Sequence, residues 1–215
     1  MKINRLAHAA LILLLVSCSG VTTGQVPPKE MQIKAAVQAA PEAKRDGAKV
    51  LGYNRSGDLV TLRKSADNNK SGSDLVCVAD DPSDEKYHVA CYHESLEPFM
   101  ARGRELKREG KGRSGRDEIR RKEIESGQLS MPEQAAALYS LSGPSDAFDY
   151  EEGILMEAKR LYVVYLPNAT GATTGLPTTP TGAGKPWLME PGLPWAHIMI
   201  SSDEKVGKRA GGKGV

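Results

Sequence analysis

A chain of 215 residues, 40% hydrophobic and 26% charged, has the apolar matter for one modest core and too much of it for a disordered protein. The formal charge of +2 provides no global field to select a polyanion, so nucleic acid is not an expected partner. The three cysteines, Cys18, Cys77 and Cys91, carry most of what the composition says about compartment.

Lys2 and Arg5 form a positive start, and Leu6 to Val16 an apolar stretch interrupted only by His8. That stretch is short of the roughly 20 residues a spanning helix needs, and reads as a signal peptide. It ends Leu15-Val16-Ser17-Cys18, which resembles the bacterial lipobox, the motif whose cysteine is acylated and becomes the first mature residue. The resemblance covers residues 1–18 only. It implies a lipid anchor on Cys18, and Ser19 at the second mature position implies the outer membrane. The alternative is an ordinary secretory peptide cut near Gly20 or Gly24, giving a periplasmic protein. Either way the chain is expected to be exported, with the membrane as partner only through lipid.

Residues 19–28 (SGVTTGQVPP) read as a flexible tether and residues 29–202 as a single domain. Ile33, Ala36, Val37 and Ala40 fall at helical spacing, predicting a helix over 29–40, with Pro41 ending it or sitting in the first turn of a second short helix over 41–46. Lys49–Tyr53 and Leu59–Arg63 flank Asn54-Arg55-Ser56-Gly57, a hairpin turn in which Gly57 takes positive φ. After a polar loop, Leu75–Ala79 and Tyr87–Tyr92 form a second hairpin around an acidic turn. If that turn centres on Asp84, Cys77 lies opposite Cys91. Directly opposed β-carbons are close enough for a disulfide, and export favours one. The alternative is a metal site on Cys77, Cys91 and His88 or His93, although the spacing matches no standard zinc pattern. No metal and no cofactor is expected.

Beyond Tyr92 the period changes from two to about 3.6. Leu96, Phe99, Met100, Gly103 and Leu106 fall on one face of a helix over 95–109, with Ser95 as its N-cap and Pro98 in its first turn. Gly103 on that face suggests a second backbone close by. A weaker helix follows over 116–126. An extended segment at 137–141, a strand at Leu161–Leu166 and another at His197–Ser201 complete the pattern. The 167–196 segment is rich in Pro, Gly and Thr, and the Gly- and Lys-rich 203–215 segment reads as a disordered basic tail. The expected fold is α+β: an antiparallel sheet from hairpins with an amphipathic helix packed on one face.

Three candidate sites emerge. Trp187 and Trp195, each after a proline in the long segment, suit stacking on a glycan or peptide; the alternative is that both rings fold back as core. His93, Glu94, Glu97 and His197 form a His–carboxylate set that would serve a hydrolase if the two histidines converge. Otherwise Glu94 and Glu97 favour a helix start and the histidines are structural. From Arg102 to Lys122 basic residues outnumber Glu105, Glu109, Asp117 and Glu118, which makes either a surface for an anionic envelope polymer or an ion-paired, solvated face. No HExxH, GxSxG or phosphate-binding glycine pattern is present. The expected function is non-enzymatic binding or scaffolding in the envelope, with an envelope-acting hydrolase as the alternative.

Overall fold

The computed structural model describes residues 26–66 and 74–210. The signal segment with Cys18, the tether up to residue 25 and residues 211–215 lie outside them. In chain order the described elements begin with α1 (Lys29–Ala36), continued by a 3-10 turn, and α2 (Glu42–Arg45). Strands β1 (Lys49–Tyr53), β2 (Leu59–Arg63), β3 (Leu75–Val78) and β4 (Tyr87–His93) follow. Then come a 3-10 turn over Glu94–Leu96, α3 (Glu97–Arg108) and α4 (Arg113–Glu125). The C-terminal half contains β5 (Ala136–Gly143), the small pair β6 (Phe148–Asp149) and β7 (Ile154–Leu155), and β8 (Ala158–Tyr165). Finally α5 (Gly171–Thr174), β9 (Trp187–Met189) and β10 (His197–Val206) lead to a last 3-10 turn, Lys208–Ala210.

Eight strands form one sheet in the order β2-β1-β3-β4-β5-β8-β10-β9. The fold is α+β, but the expectation of a purely antiparallel sheet needs correction. β1 and β3 run parallel, Val50 opposite Cys77, while the remaining pairs are antiparallel. Nor is only one face covered. On β1, Val50 packs toward α1 and its neighbour Leu51 packs with Leu96, on the face toward α3, so successive residues are both buried. A strand buried on both faces loses the in–out alternation of a half-solvated one.

Ala35, Ala36, Ala39 and Ala40 are fully or nearly fully buried, and their small side chains let α1 and its 3-10 turn lie close to the sheet. Tyr87 donates its hydroxyl to Ala35 O at 3.3 Å. Gln32, buried in α1, accepts from Tyr53 N at 2.8 Å and donates to Tyr53 O at 2.9 Å, so a side chain supplies what a neighbouring strand would.

Cys77 and Cys91 are directly opposed on β3 and β4 and joined by a disulfide, fully buried under α1. The bond uses up the thiols that the metal alternative needed. On the other face, Leu96, Phe99 and Leu106 are buried, as the helical stripe requires. Ser95 is not the N-cap: the His93 side chain accepts from Ser95 N, capping the 3-10 turn that precedes α3.

The 167–196 segment is largely structured. Thr170 caps α5 by a reciprocal bond with Thr173, and Trp187–Met189 pairs with β10 as an edge strand. β10 continues through Val206, whose side chain packs on the core, and Arg209 ion-pairs with Asp146 at 2.6 Å. Residues 203–206 continue β10 and Lys208–Ala210 form the last 3-10 turn, within the stretch whose composition suggested a tail.

Candidate functional site

The His–carboxylate set does not assemble. His93 ends β4 and His197 opens β10, with β5 and β8 between them, roughly 14 Å apart at about 4.8 Å per strand. His93 Nδ1 is engaged with Ser95, 2.8 Å from its Oγ. Glu97 accepts from Tyr92 OH at 2.5 Å and from Arg104 at 2.9 Å, and Glu94 is exposed. Among the described residues, no group of three or more His, Cys, Asp or Glu is placed to hold a metal ion.

His197 instead lines a cleft of about 300 Å³ between α3, α4, the end of β8 and the 190–197 segment. Three elements build it. The first is α4, where Arg113, Arg116, Asp117 and Arg120 fall at helical spacing and share one face. The second is α3, which contributes Phe99 and Met100. The third is the chain entering β10, which folds Trp195 back until it is only 4% exposed. Trp195 stacks on Phe99 with ring centroids 5.8 Å apart, and Tyr165 meets Phe99 edge-on at 6.3 Å. The alternative in which the tryptophans fold back therefore holds for Trp195, while Trp187 is half-buried in β9.

Arg120 lies over this aromatic wall, 4.0 Å from the Phe99 ring centroid, with its side chain 13% exposed. It pairs with Asp117 at 2.6 Å, but its Nε is buried with no hydrogen-bond partner. Gly103 makes this possible, because a Cβ there would sit 2.9 Å from Arg120 Nη1. The close neighbour at Gly103 is thus a guanidinium, not a second backbone.

His197 packs tilted against Tyr165 with ring centroids 5.0 Å apart, and its Nδ1 is 2.8 Å from Trp195 O. A carbonyl only accepts, so Nδ1–H donates and Nε2 carries the lone pair. Burial, with Arg113 adding to it, pushes the imidazole below its ordinary pKa against the Trp195 carbonyl and Glu190, so the ring is neutral at neutral pH. Burial raises the Tyr165 hydroxyl to about 12. Arg113 closes the outer side: its Nη2 is 3.4 Å from Glu190 Oε1, and Arg116 donates to Lys111 O at 3.0 Å.

Much of the rest of the basic region is ion-paired. Arg102 forks onto Glu123, joining α3 to α4, and Lys122 pairs with Glu118 at 2.7 Å. A larger cleft, about 450 Å³, lies at the opposite end of the same strands, with Lys86, Lys159 and Lys205 on its walls and none of the expected site residues.

Compared with known proteins, the chain matches no family model, no curated protein and no solved structure.

The sequence reading named His197 and Trp195 and took in Arg113, Arg116, Asp117 and Arg120 only as part of the Arg102–Lys122 basic stretch; it missed Tyr165 and Glu190. The i, i+3, i+4, i+7 spacing on α4 was a signal for four positions on one face. It was obscured because the same stretch also contains the outward-facing charges.

One titratable group elsewhere has a measurable consequence. Asp80, after β3, accepts from His88 N at 2.7 Å. Burial raises its carboxyl from 3.8 to about 6, the His88 amide opposes this, and Asp84 and Asp81 add to the rise. A raised folded pKa means that the unfolded chain ionises first. Stability is therefore lost as pH climbs from about 4 through about 6. Asp80→Asn is expected to stabilise the fold by about 1 kcal/mol near pH 7.5, after discounting for partial exposure, and by nothing below about pH 4. Urea melts of both proteins across that range measure the difference; a gain independent of pH would contradict the assignment.

Proposed function

We propose that this is an exported, lipid-anchored bacterial envelope protein with a non-enzymatic binding role, and that the cleft at Trp195 and His197 is its binding site. The observation that carries the binding reading is the position of His197. It faces a preformed, aromatic-walled cleft, separated by two strands from the second histidine that a His–carboxylate hydrolase would have used. The cleft lining offers His197 no serine, threonine or cysteine to activate as a nucleophile. Export is supported by the signal segment ending at Cys18 and by the Cys77–Cys91 disulfide, a bond that persists in oxidising compartments.

The test has two readouts on the full chain produced in a bacterium. Mass spectrometry of the processed N-terminus is expected to find Cys18 acylated, and Cys18→Ala to abolish it; an unmodified start downstream of Gly20 removes the anchor. Incubation with peptidoglycan fragments and with lipopolysaccharide is expected to give binding with the ligand recovered intact. Cleaved product, lost in His197→Gln, would establish the hydrolase alternative instead.

A further inference from the structure

We infer that the cleft recognises an oxyanion group, carboxylate or phosphoryl, and that Glu190 holds the place of that group until a ligand arrives. The inference rests on the binding role proposed above and assigns its ligand class.

Four observations lead to it. Cations outnumber anions on the lining, Arg113, Arg116 and Arg120 against Asp117 and Glu190, with His197 neutral. The arginines are not saturated. The Arg113 side chain is 65% exposed and touches its acids only at 3.4 and 3.8 Å, and Arg120 Nε is a buried donor without an acceptor. A planar guanidinium with free donors is the group best matched to a two-oxygen anion. The aromatic wall of Phe99, Trp195 and Tyr165 lowers the local dielectric, so a charge pair formed there is worth more than one on the open surface.

The fourth observation is Glu190 itself. Its φ of +55 lies in the left-handed region, which a non-glycine residue adopts only when its surroundings hold it there. In that conformation its carboxylate reaches Arg113 from across the cleft, 3.4 Å away. An internal carboxylate already makes the contact that a ligand oxyanion would make, at a distance long enough for a better-placed anion to replace it. The small volume suits a headgroup or a side chain rather than a whole large ligand.

In a bacterial envelope the same chemistry comes from lipid phosphoryl groups or from cell-wall carboxylates, and inorganic phosphate and acetate serve as probes of the two. Ring signals of His197, assigned with His197→Gln, would be followed by NMR while each probe is added to the full chain at constant ionic strength, with chloride as control. The expected result is a saturable shift of His197 with at least one probe, none with chloride, and none at His93. Arg113→Gln/Arg116→Gln is expected to weaken binding at least about tenfold, the size of a lost charge-assisted contact. Glu190→Gln is expected to tighten it by removing the competitor. The tighter probe identifies the source. An equal response in wild type and the arginine double variant, or none with either probe, overturns the inference. If neutral glycan fragments then shift His197 while both anions leave it unmoved, the ligand class falls and the binding role stands. If nothing moves His197, both fall.

Discussion

Phe99→Ala is expected to lower the free energy of unfolding by about 3–5 kcal/mol, the range for deleting a buried aromatic ring. Phe99 is 3% exposed and joins three elements. It stacks on Trp195, meets Tyr165 edge-on, and carries the Arg120 guanidinium 4.0 Å from its ring centroid. Truncation removes the apolar transfer and leaves a cavity beneath Arg120, whose charged guanidinium is a poor group to fill it. Arg120 then keeps its desolvation cost without the ring that offsets it. Phe99→Leu, which keeps most of the volume, should cost distinctly less. A guanidinium melt measures both variants. A loss below about 1 kcal/mol for the alanine variant would mean that α3 does not carry the core on this face.

Cys77→Ala/Cys91→Ala is expected to cost about 3 kcal/mol. The bond closes a short loop, sequence separation 14, and in the chain-entropy model cross-linking a loop of about 15 residues restricts the unfolded chain by that amount. Both sulfurs lie in the central core, and Cys91 Sγ is 3.4 Å from Ala36 O beneath α1. The double variant also deletes two buried sulfurs, so a packing loss adds to the effect on the unfolded state. A chain-entropy effect has a simple signature: reductant should bring the wild type close to the variant and leave the variant's melt unchanged. Coincident melts of oxidised wild type and variant would show that the bridge contributes nothing.

Local pattern explains which elements were legible. The β1–β2 and β3–β4 hairpins are marked by the turn residues between their strands, Asn54-Arg55-Ser56-Gly57 and the acidic turn around Asp84, the α3 stripe by its period of about 3.6, and the Cys77–Cys91 pairing follows from the symmetry of one turn. The parallel pairing of β1 with β3 has no such mark, since β2 and the polar segment after it separate the two strands. The second covered face was hidden in Val50 and Leu51, adjacent apolar residues that look like a strand of either kind. β9 is three residues, too short for any period. β10 was cut short because Ser202, Asp203, Glu204 and Lys205 are polar and mostly exposed, and a register shift between Ser201 and Lys205 interrupts the alternation. At the site, residue type pointed to His197 and Trp195. What surrounds them depends on how far the chain before β10 folds back onto α4, which no local pattern encodes.

That fold-back is the step on which the cleft depends, and Trp195 reports it directly. In a Trp187→Phe variant the only remaining tryptophan is Trp195, and acrylamide quenching of its fluorescence measures whether solvent reaches the indole. With Trp195 packed between Phe99 and the arginines of α4, its emission should be blue-shifted and nearly unquenched, and Phe99→Ala should make it accessible. Emission like that of free indole in water, quenched freely and indifferent to Phe99, would contradict the cleft.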